Sequence, residues 1–149
     1  LGAAEGHDHD MVSQMPDLTS SIATETGRKA MAMASVAHAD IDLTMLYDSF
    51  TYTALVSLEA LGFCGRGEGG AFVSGGAADL DGELPVNTSG GLKSCGHPIG
   101  ATGTRMVGDI TDQLLGRAGK RQVPDARVGL AHTLGGPGSV ACVFVLERG

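Results

Sequence analysis

Residues 87–103 read Asn-Thr-Ser-Gly-Gly-Leu-Lys-Ser-Cys-Gly-His-Pro-Ile-Gly-Ala-Thr-Gly and place one histidine, His97, among five glycines. Pro98 follows the histidine, and proline is well suited to the first turn of a helix. The apolar residues after it have helical spacing: Met106, Val107, Ile110, Leu114 and Leu115. The sequence therefore predicts a helix over residues 99–115 with His97 at its N-terminus. The helix dipole favours a neutral imidazole there, which accepts a proton or donates a hydrogen bond to an oxygen that gains charge.

The rest of the chain predicts an α/β fold. Apolar runs and alternating patterns indicate strands at 43–47, 128–133 and 139–147, and helical periodicity indicates helices at 22–37 and 51–61. Residues 1–20 are polar and are predicted to be an irregular lead-in to a domain over 21–149. The first strand ends at Tyr47-Asp48-Ser49-Phe50. Because ligands of open α/β sheets gather at the carboxyl ends of strands, this tetrapeptide is a second candidate site.

Composition limits the class of partner and the compartment. The chain has 149 residues, enough for one domain, and its net charge of −7 argues against nucleic acid and anionic membranes as partners. No apolar run approaches about 18 residues, so no membrane span is expected. Three cysteines far apart in the sequence favour a reducing, cytoplasmic environment. The start is not a signal peptide and suggests a chain cut from a longer one. His7-Asp8-His9-Asp10 is interpreted as an exposed acidic loop, and no metal site is predicted.

The ordered pattern in residues 87–103 resembles the signature of the thiolase superfamily. It is most similar to the branch of sterol-carrier-protein-type thiolases and lipid-transfer-protein-like enzymes. The resemblance covers roughly residues 20–149 and implies the C-terminal half of a thiolase, a layered fold in which helices pack against a mixed sheet. It implies that His97 belongs to an oxyanion hole for the thioester oxygen of an acyl-CoA. The loop residues associated with that site are Asn87, Gly96, Gly135 and Gly136.

The chain departs from this family at both places where a thiol is expected. The resemblance implies that the nucleophilic cysteine lies in a missing N-terminal half, since no cysteine here has that context. A second cysteine normally acts as acid and base, but its two known positions hold Ser49 and His132. Serine is a poor acid or base at neutral pH, whereas the ordinary pKa of histidine, about 6.5, suits proton transfer. Cys95 and Tyr47 are further candidates for moving the proton.

Three functional hypotheses follow from this comparison. The first is an acyl-CoA C-acyltransferase of thiolase type, with His97 in the oxyanion hole and His132 or Cys95 as proton carrier. The second is a retro-aldol lyase acting on a β-hydroxyacyl-CoA, with Tyr47 as base. The third is a non-catalytic scaffold that binds lipid or acyl-CoA. The resemblance implies coenzyme A as substrate or product rather than a resident cofactor. It also implies a homodimer or higher oligomer and a small zinc-ribbon and OB-fold partner subunit.

Overall fold

The computed structural model describes residues 1–136 and 138–149, which form a four-stranded mixed sheet in the order β1-β4-β3-β2. The strands are β1 (Gly2–His7), β2 (Leu43–Leu46), β3 (Val128–Gly135) and β4 (Val140–Glu147). β4 pairs antiparallel with both β1 and β3, whereas β2 runs parallel to β3. Helices lie on both faces of this sheet, so the predicted α/β fold with a mixed, helix-flanked sheet is confirmed.

The helices divide between the two faces. They are α1 (Ala23–Ala34), α2 (Thr51–Ala60), α3 (Gly69–Ser74), α4 (Gly91–Cys95) and α5 (Thr102–Leu114). The buried residues of α1 and α2 share one apolar cluster with the sheet. The buried residues of α5 share a second cluster with the sheet. We call these the α1/α2 face and the α5 face.

Alternation along β2 explains how one short strand serves both faces. Leu43 and Met45 belong to the cluster on the α5 face, and Leu46 belongs to the cluster on the α1/α2 face. All four residues of β2 are buried, as expected for a strand covered on both sides. On α5, Met106 and Ile110 are almost completely buried and provide the predicted apolar stripe. Each such side chain stabilises the fold by about 1.5–3 kcal/mol.

The prediction of an irregular segment over residues 1–20 is wrong for residues 2–7. These residues form β1, the outer strand next to β4. Glycine and alanine give this segment little strand propensity, but its glycines serve packing. A Cβ atom on Gly2 would lie 2.3 Å from the carbonyl oxygen of Ala30 in α1. The side chain of His9, predicted to lie in an exposed loop, is instead buried and bonded to the Asp8 carboxylate at 2.5 Å.

The predicted helix over residues 99–115 begins three residues later than expected. Gly100 has φ of +85°, outside the right-handed helical region, and α5 starts only at Thr102. The Ala101 N–H donates to the Pro98 carbonyl at 2.9 Å, so the proline lies in a turn before the helix. His97 is therefore separated from α5 by this turn. The predicted helix over 22–37 also ends early, at Ala34.

Candidate functional site

Tyr47 continues the direction of β2 beyond its carboxyl end. Its backbone N–H donates to the carbonyl oxygen of His132 at 3.0 Å, which extends the parallel pairing with β3 by one residue. Its ring packs against the apolar cluster on the α5 face. The phenol oxygen lies 3.0 Å from Nε2 of His97, and the two rings meet edge to face with centroids 5.5 Å apart. Tyr47 and His97, which were predicted as site residues for separate reasons, are therefore in direct contact.

His97 is held from its other side by Thr102, the first residue of α5. Nδ1 of His97 lies 2.7 Å from Oγ1 of Thr102. The Thr102 hydroxyl also approaches the carbonyl oxygen of Pro98, at 3.5 Å. A hydroxyl that donates to this carbonyl offers its oxygen to the Nδ1–H of a neutral imidazole. In this tautomer Nε2 is an acceptor, and the Tyr47 hydroxyl donates to it.

Asn87 fastens the glycine-rich loop to β2. Its side-chain oxygen accepts the Leu46 N–H at 2.8 Å, and its own N–H donates to the Thr44 carbonyl at 2.9 Å. It adopts φ of +50°, a left-handed conformation that asparagine tolerates better than most residues. The side-chain oxygen of Asn87 thus holds the loop in register with the strand that ends in Tyr47.

Asp48 fixes the same loop at the start of α4. Both carboxylate oxygens of Asp48 lie 3.1 Å from the Leu92 N–H. A Cβ atom on Gly91 would lie 2.0 Å from Oδ2 of Asp48, so this approach requires glycine. This function of Asp48 was not predicted, because its partner is 44 residues away in the chain. Thr102 was also missed, although a threonine in the predicted first turn of a helix was a usable signal.

The structure does not join Ser49 or Cys95 to the Tyr47–His97 pair. Oγ of Ser49 lies 3.5 Å from Oγ1 of Thr53 in α2. Cys95 ends α4, is exposed, and directs its thiol to the Ser89 carbonyl at 3.4 Å. Among the described residues, neither side chain makes a hydrogen bond to Tyr47 or His97.

His132 lies in the core, on the face of the sheet opposite the pair. In β3 its neighbours Leu130 and Leu134 belong to the cluster on the α1/α2 face, and alternation directs His132 the same way. The side chain is fully buried, and neither ring nitrogen has a hydrogen-bond partner among the described residues. Burial lowers the pKa of His132 to about 4. A histidine in this position is neutral near pH 7 and does not reach the pair.

Thr133, the next residue of β3, faces the other way. A Cβ atom on Gly103 would lie 3.1 Å from Cγ2 of Thr133, which places this threonine against the first turn of α5. It lies on the same face of the sheet as the ring of Tyr47. The sequence pointed to His132 because histidine has the more suitable proton chemistry. Alternation along the strand instead places Thr133 on the side of the Tyr47–His97 pair.

The final glycine loop borders a cavity that Tyr47 also lines. Gly135 is the last residue of β3, and Gly136 follows it with φ of +57°. Gly136 and Ser49 contribute to the wall of this cavity, which has a volume of about 360 Å³. Pro137, which follows Gly136, lies outside the described residues.

The two remaining cysteines are not activated as nucleophiles. Burial is the main cause of a raised pKa for the thiols of both Cys64 and Cys142. A raised pKa keeps a thiol protonated, whereas the thiolate is the reactive form. In the described part of the chain, no group of three or more His, Cys, Asp or Glu side chains has an arrangement that would hold a metal ion. No helix of the described residues is long and apolar enough to cross a membrane.

Comparisons with known proteins agree with the fold. The sequence model of the family described as thiolase C-terminal domain-like matches residues 4–148. An acetyl-CoA acetyltransferase of Methanothermobacter thermautotrophicus is 44% identical over 133 residues, which cover 89% of this chain and 35% of that protein. Sterol carrier protein 2 of Rattus norvegicus is 44% identical over 124 residues, which cover 83% of this chain and 22% of that protein.

A solved structure shows the same architecture. The Ltp2-ChsH2(DUF35) aldolase superposes with a TM-score of 0.83 at 26% sequence identity, covering 99% of this chain and 38% of that chain. The chain thus spans well under half the length of each of these relatives. The family match nevertheless includes nearly every residue, among them Tyr47, His97 and Thr102. The chain belongs to the thiolase C-terminal domain-like family.

Proposed function

We propose that the intact protein makes or breaks a carbon–carbon bond beside the thioester of an acyl-CoA, as a thiolase-type acyl-CoA C-acyltransferase. The observation that carries this proposal is that Nδ1 of His97 lies 2.7 Å from the Thr102 hydroxyl, which leaves Nε2 at the carboxyl end of β2 to meet a substrate oxygen. Membership of the thiolase family supports it. So does the relative named acetyl-CoA acetyltransferase, at 44% identity.

The chemistry of such a reaction explains why these side chains matter. Removing a proton from the carbon next to a thioester leaves an enolate, whose negative charge develops on the thioester oxygen. The reaction therefore needs a group that moves a proton and a donor that stabilises that oxygen. In the proposed acyltransferase, His97 donates to the oxygen from Nε2. To do so it takes the other tautomer, with the Thr102 hydroxyl donating to Nδ1, and the substrate oxygen replaces the Tyr47 hydroxyl.

In a thiolase reaction a cysteine thiolate first attacks an acyl-CoA and releases CoA, leaving the acyl group on sulfur. The enolate of a second acyl-CoA then attacks this thioester and displaces the cysteine. Cys95 is exposed and bonded to Ser89, and the other two thiols have raised pKa values. We therefore assign the nucleophile to a part of the intact protein outside residues 1–149.

A retro-aldol lyase is the second candidate, and the Tyr47–His97 contact favours it. In this reaction Tyr47 takes the proton of a β-hydroxyl group and passes its own proton to Nε2 of His97. The bond between Cα and Cβ breaks, a carbonyl compound leaves, and the electron pair forms the enolate of the remaining acyl-CoA. Protonation at Cα completes the reaction, and no acyl-enzyme is needed. The tautomer favoured by the contact of the Thr102 hydroxyl with the Pro98 carbonyl has the Tyr47 hydroxyl donating to His97.

The partners of the intact protein are part of the same proposal. The similar solved aldolase is named for Ltp2 together with ChsH2(DUF35). That pairing supports a small partner subunit for this protein, as does the branch of the family that it resembles. We also propose that it acts as a homodimer or higher oligomer, in the cytoplasm.

One experiment separates the two reactions. The intact protein is incubated with acetyl-CoA or with a larger acyl-CoA and digested, and its peptides are examined by mass spectrometry for an acylated cysteine. An adduct together with release of CoA supports the acyltransferase. If there is no adduct, but a β-hydroxyacyl-CoA is cleaved to a carbonyl compound and a shorter acyl-CoA, the protein is a lyase and the acyltransferase assignment is wrong. Absence of both reactions would contradict carbon–carbon bond chemistry at this site.

A further inference from the structure

The cavity beside Tyr47 has walls of a particular chemistry. Its lining combines apolar side chains with several hydroxyl groups and contains no Asp, Glu, Lys, Arg or His among the described residues. Phe50 and Tyr52 stand at its edge with nearly parallel rings, 6.1 Å apart, and both are largely exposed. A charged ligand group would lose its hydration in this cavity without gaining an ion pair, which is costly.

We propose that this cavity receives the uncharged acyl portion of the substrate and makes the protein selective for bulky, neutral acyl-CoA thioesters. This inference rests on the proposed function and names the substrate class for the same site. Tyr47 is the link, because it lines the cavity and also holds His97. An acyl group in the cavity therefore lies against Tyr47, whose hydroxyl contacts His97.

The volume agrees with a large acyl group. Ligand pockets of proteins commonly measure about 300–1,000 Å³, and this cavity of about 360 Å³ falls within that range. A water-sized group occupies about 30 Å³ in the liquid, so the cavity has room for roughly ten non-hydrogen atoms. A two-carbon acetyl group would leave most of it unfilled.

The outer wall of the cavity is held in place by contacts outside it. Residues 12–21 supply this wall, with Val12 and Leu18 among its apolar side chains. Arg66, in the loop after α2, bonds to the carboxylate of Asp17 at 3.0 Å and to the hydroxyl of Thr19. These bonds tie the wall to the α2–α3 connection, on the same side of the sheet. The exposed apolar residues at the mouth are consistent with a site that takes an apolar ligand.

The test measures binding separately from turnover. The intact protein is titrated by calorimetry with phenylpropanoyl-CoA, acetyl-CoA and adipoyl-CoA, which differ in the size and charge of the acyl group. We expect phenylpropanoyl-CoA to bind at least about tenfold more tightly than the other two, since burying even two methylene equivalents supplies that difference. Equal affinities for the three thioesters would overturn the proposal.

A variant locates the effect. Val56 in α2 lines the cavity, and Val56→Phe should fill part of it and reduce the preference for phenylpropanoyl-CoA to less than about threefold. Val73→Phe is the matched control, because Val73 lies in α3, is exposed and does not line the cavity. If Val56→Phe weakens binding of all three thioesters equally, another segment of the protein occupies the cavity and the proposal fails. If phenylpropanoyl-CoA binds preferentially but no acyl-CoA is turned over, the acyl selectivity of the cavity stands and the proposed catalytic function fails.

Discussion

The hydrogen-bonded series Tyr47–His97–Thr102 makes the tyrosine and the histidine act as one unit. Thr102 is almost fully buried, and its hydroxyl accepts from or donates to Nδ1 of His97 according to the tautomer of the imidazole. The acyltransferase and the lyase use this series differently. The acyltransferase needs His97 to donate to the substrate oxygen, whereas the lyase needs His97 to accept a proton from Tyr47. Substitutions at the two ends therefore distinguish the reactions.

Replacing His97 should damage either reaction. His97→Ala removes the imidazole that donates to the thioester oxygen in one mechanism and accepts the tyrosine proton in the other. We expect the barrier to rise by about 2.7–4 kcal/mol, the usual cost of losing one oxyanion donor. The measurement is kcat/KM of the intact protein on its best acyl-CoA substrate. His38→Ala is the control, since His38 bonds to the Leu61 carbonyl away from the pair. An unchanged rate for His97→Ala would remove His97 from the site.

Replacing Tyr47 should separate the two reactions. Tyr47→Phe keeps the ring that packs on the α5 face and removes only the hydroxyl 3.0 Å from His97. A lyase that uses this hydroxyl as base should lose at least about a hundredfold in kcat, the typical contribution of general base catalysis. An acyltransferase should keep nearly its full rate, because His97 is then free to meet the substrate oxygen. Ser74→Ala is the control, because it removes an exposed hydroxyl in α3 that does not line the cavity. Equal losses in both assays would contradict this division of roles.

The contacts among the candidate residues were only partly predictable from the sequence. Tyr47 was predicted as a site residue because it follows a strand, and His97 because of its glycine-rich surroundings. The structure shows that the two side chains are in contact. His132 was nominated for its proton chemistry, which says nothing of the direction in which a strand residue points. The direction of the His132 side chain depends on the register of β3. The function of Asp48 depends on its contact with a residue far along the chain. Neither follows from local pattern.

At the scale of elements, α4 and the loop after it bring His97 to Tyr47. α4 has only five residues, and its position depends on the Asp48 carboxylate at its N-terminus. Neither α4 nor β1 was predicted, because α4 is short and β1 is poor in residues of high strand propensity. Tertiary contacts determine both. The elements with a clear apolar run or period, which are β2, β3, β4, α1, α2 and α5, were predicted, with errors mainly at their ends.

Gly91 tests whether the position of α4 matters for catalysis. Gly91→Ala places a methyl group against Asp48 and puts alanine at φ of +66°, which is unfavourable for any residue with a Cβ. We expect α4 to shift, His97 to move from Tyr47, and kcat/KM to fall by at least about tenfold, as small misplacements of a catalytic group commonly cost that much or more. Gly70→Ala in α3 is the control, since a Cβ atom there meets nothing within 4 Å. Full activity of Gly91→Ala would show that α4 does not position the site.

For the whole molecule, the sheet separates two chemical environments. The α5 face carries the Tyr47–His97 pair, and the α1/α2 face carries the buried His132. The net charge of −7 gives no general attraction for coenzyme A phosphates, so binding of the thioester depends on local contacts. His132 affects the molecule mainly through its stability, because its proton equilibrium changes on folding.

The pH dependence of stability follows from the lowered pKa of His132. In the unfolded chain this histidine takes up a proton below about pH 6.5, whereas in the fold it stays neutral down to about pH 4. The contribution of His132 to stability is therefore complete above pH 6.5 and is lost as the pH falls from 6.5 to about 4, up to about 3 kcal/mol.

Replacing His132 with leucine should remove this acid sensitivity and leave the reaction intact. His132→Leu eliminates two buried nitrogens without partners, so we expect it to be at least as stable as the wild type at pH 7 and clearly more stable at pH 5. Urea unfolding of the intact protein at both pH values measures this. Val143→Ala, next to His132 in the sheet, is the control and should lose the same free energy at both pH values. A folded His132→Leu protein without activity would instead return the proton-carrier role to His132.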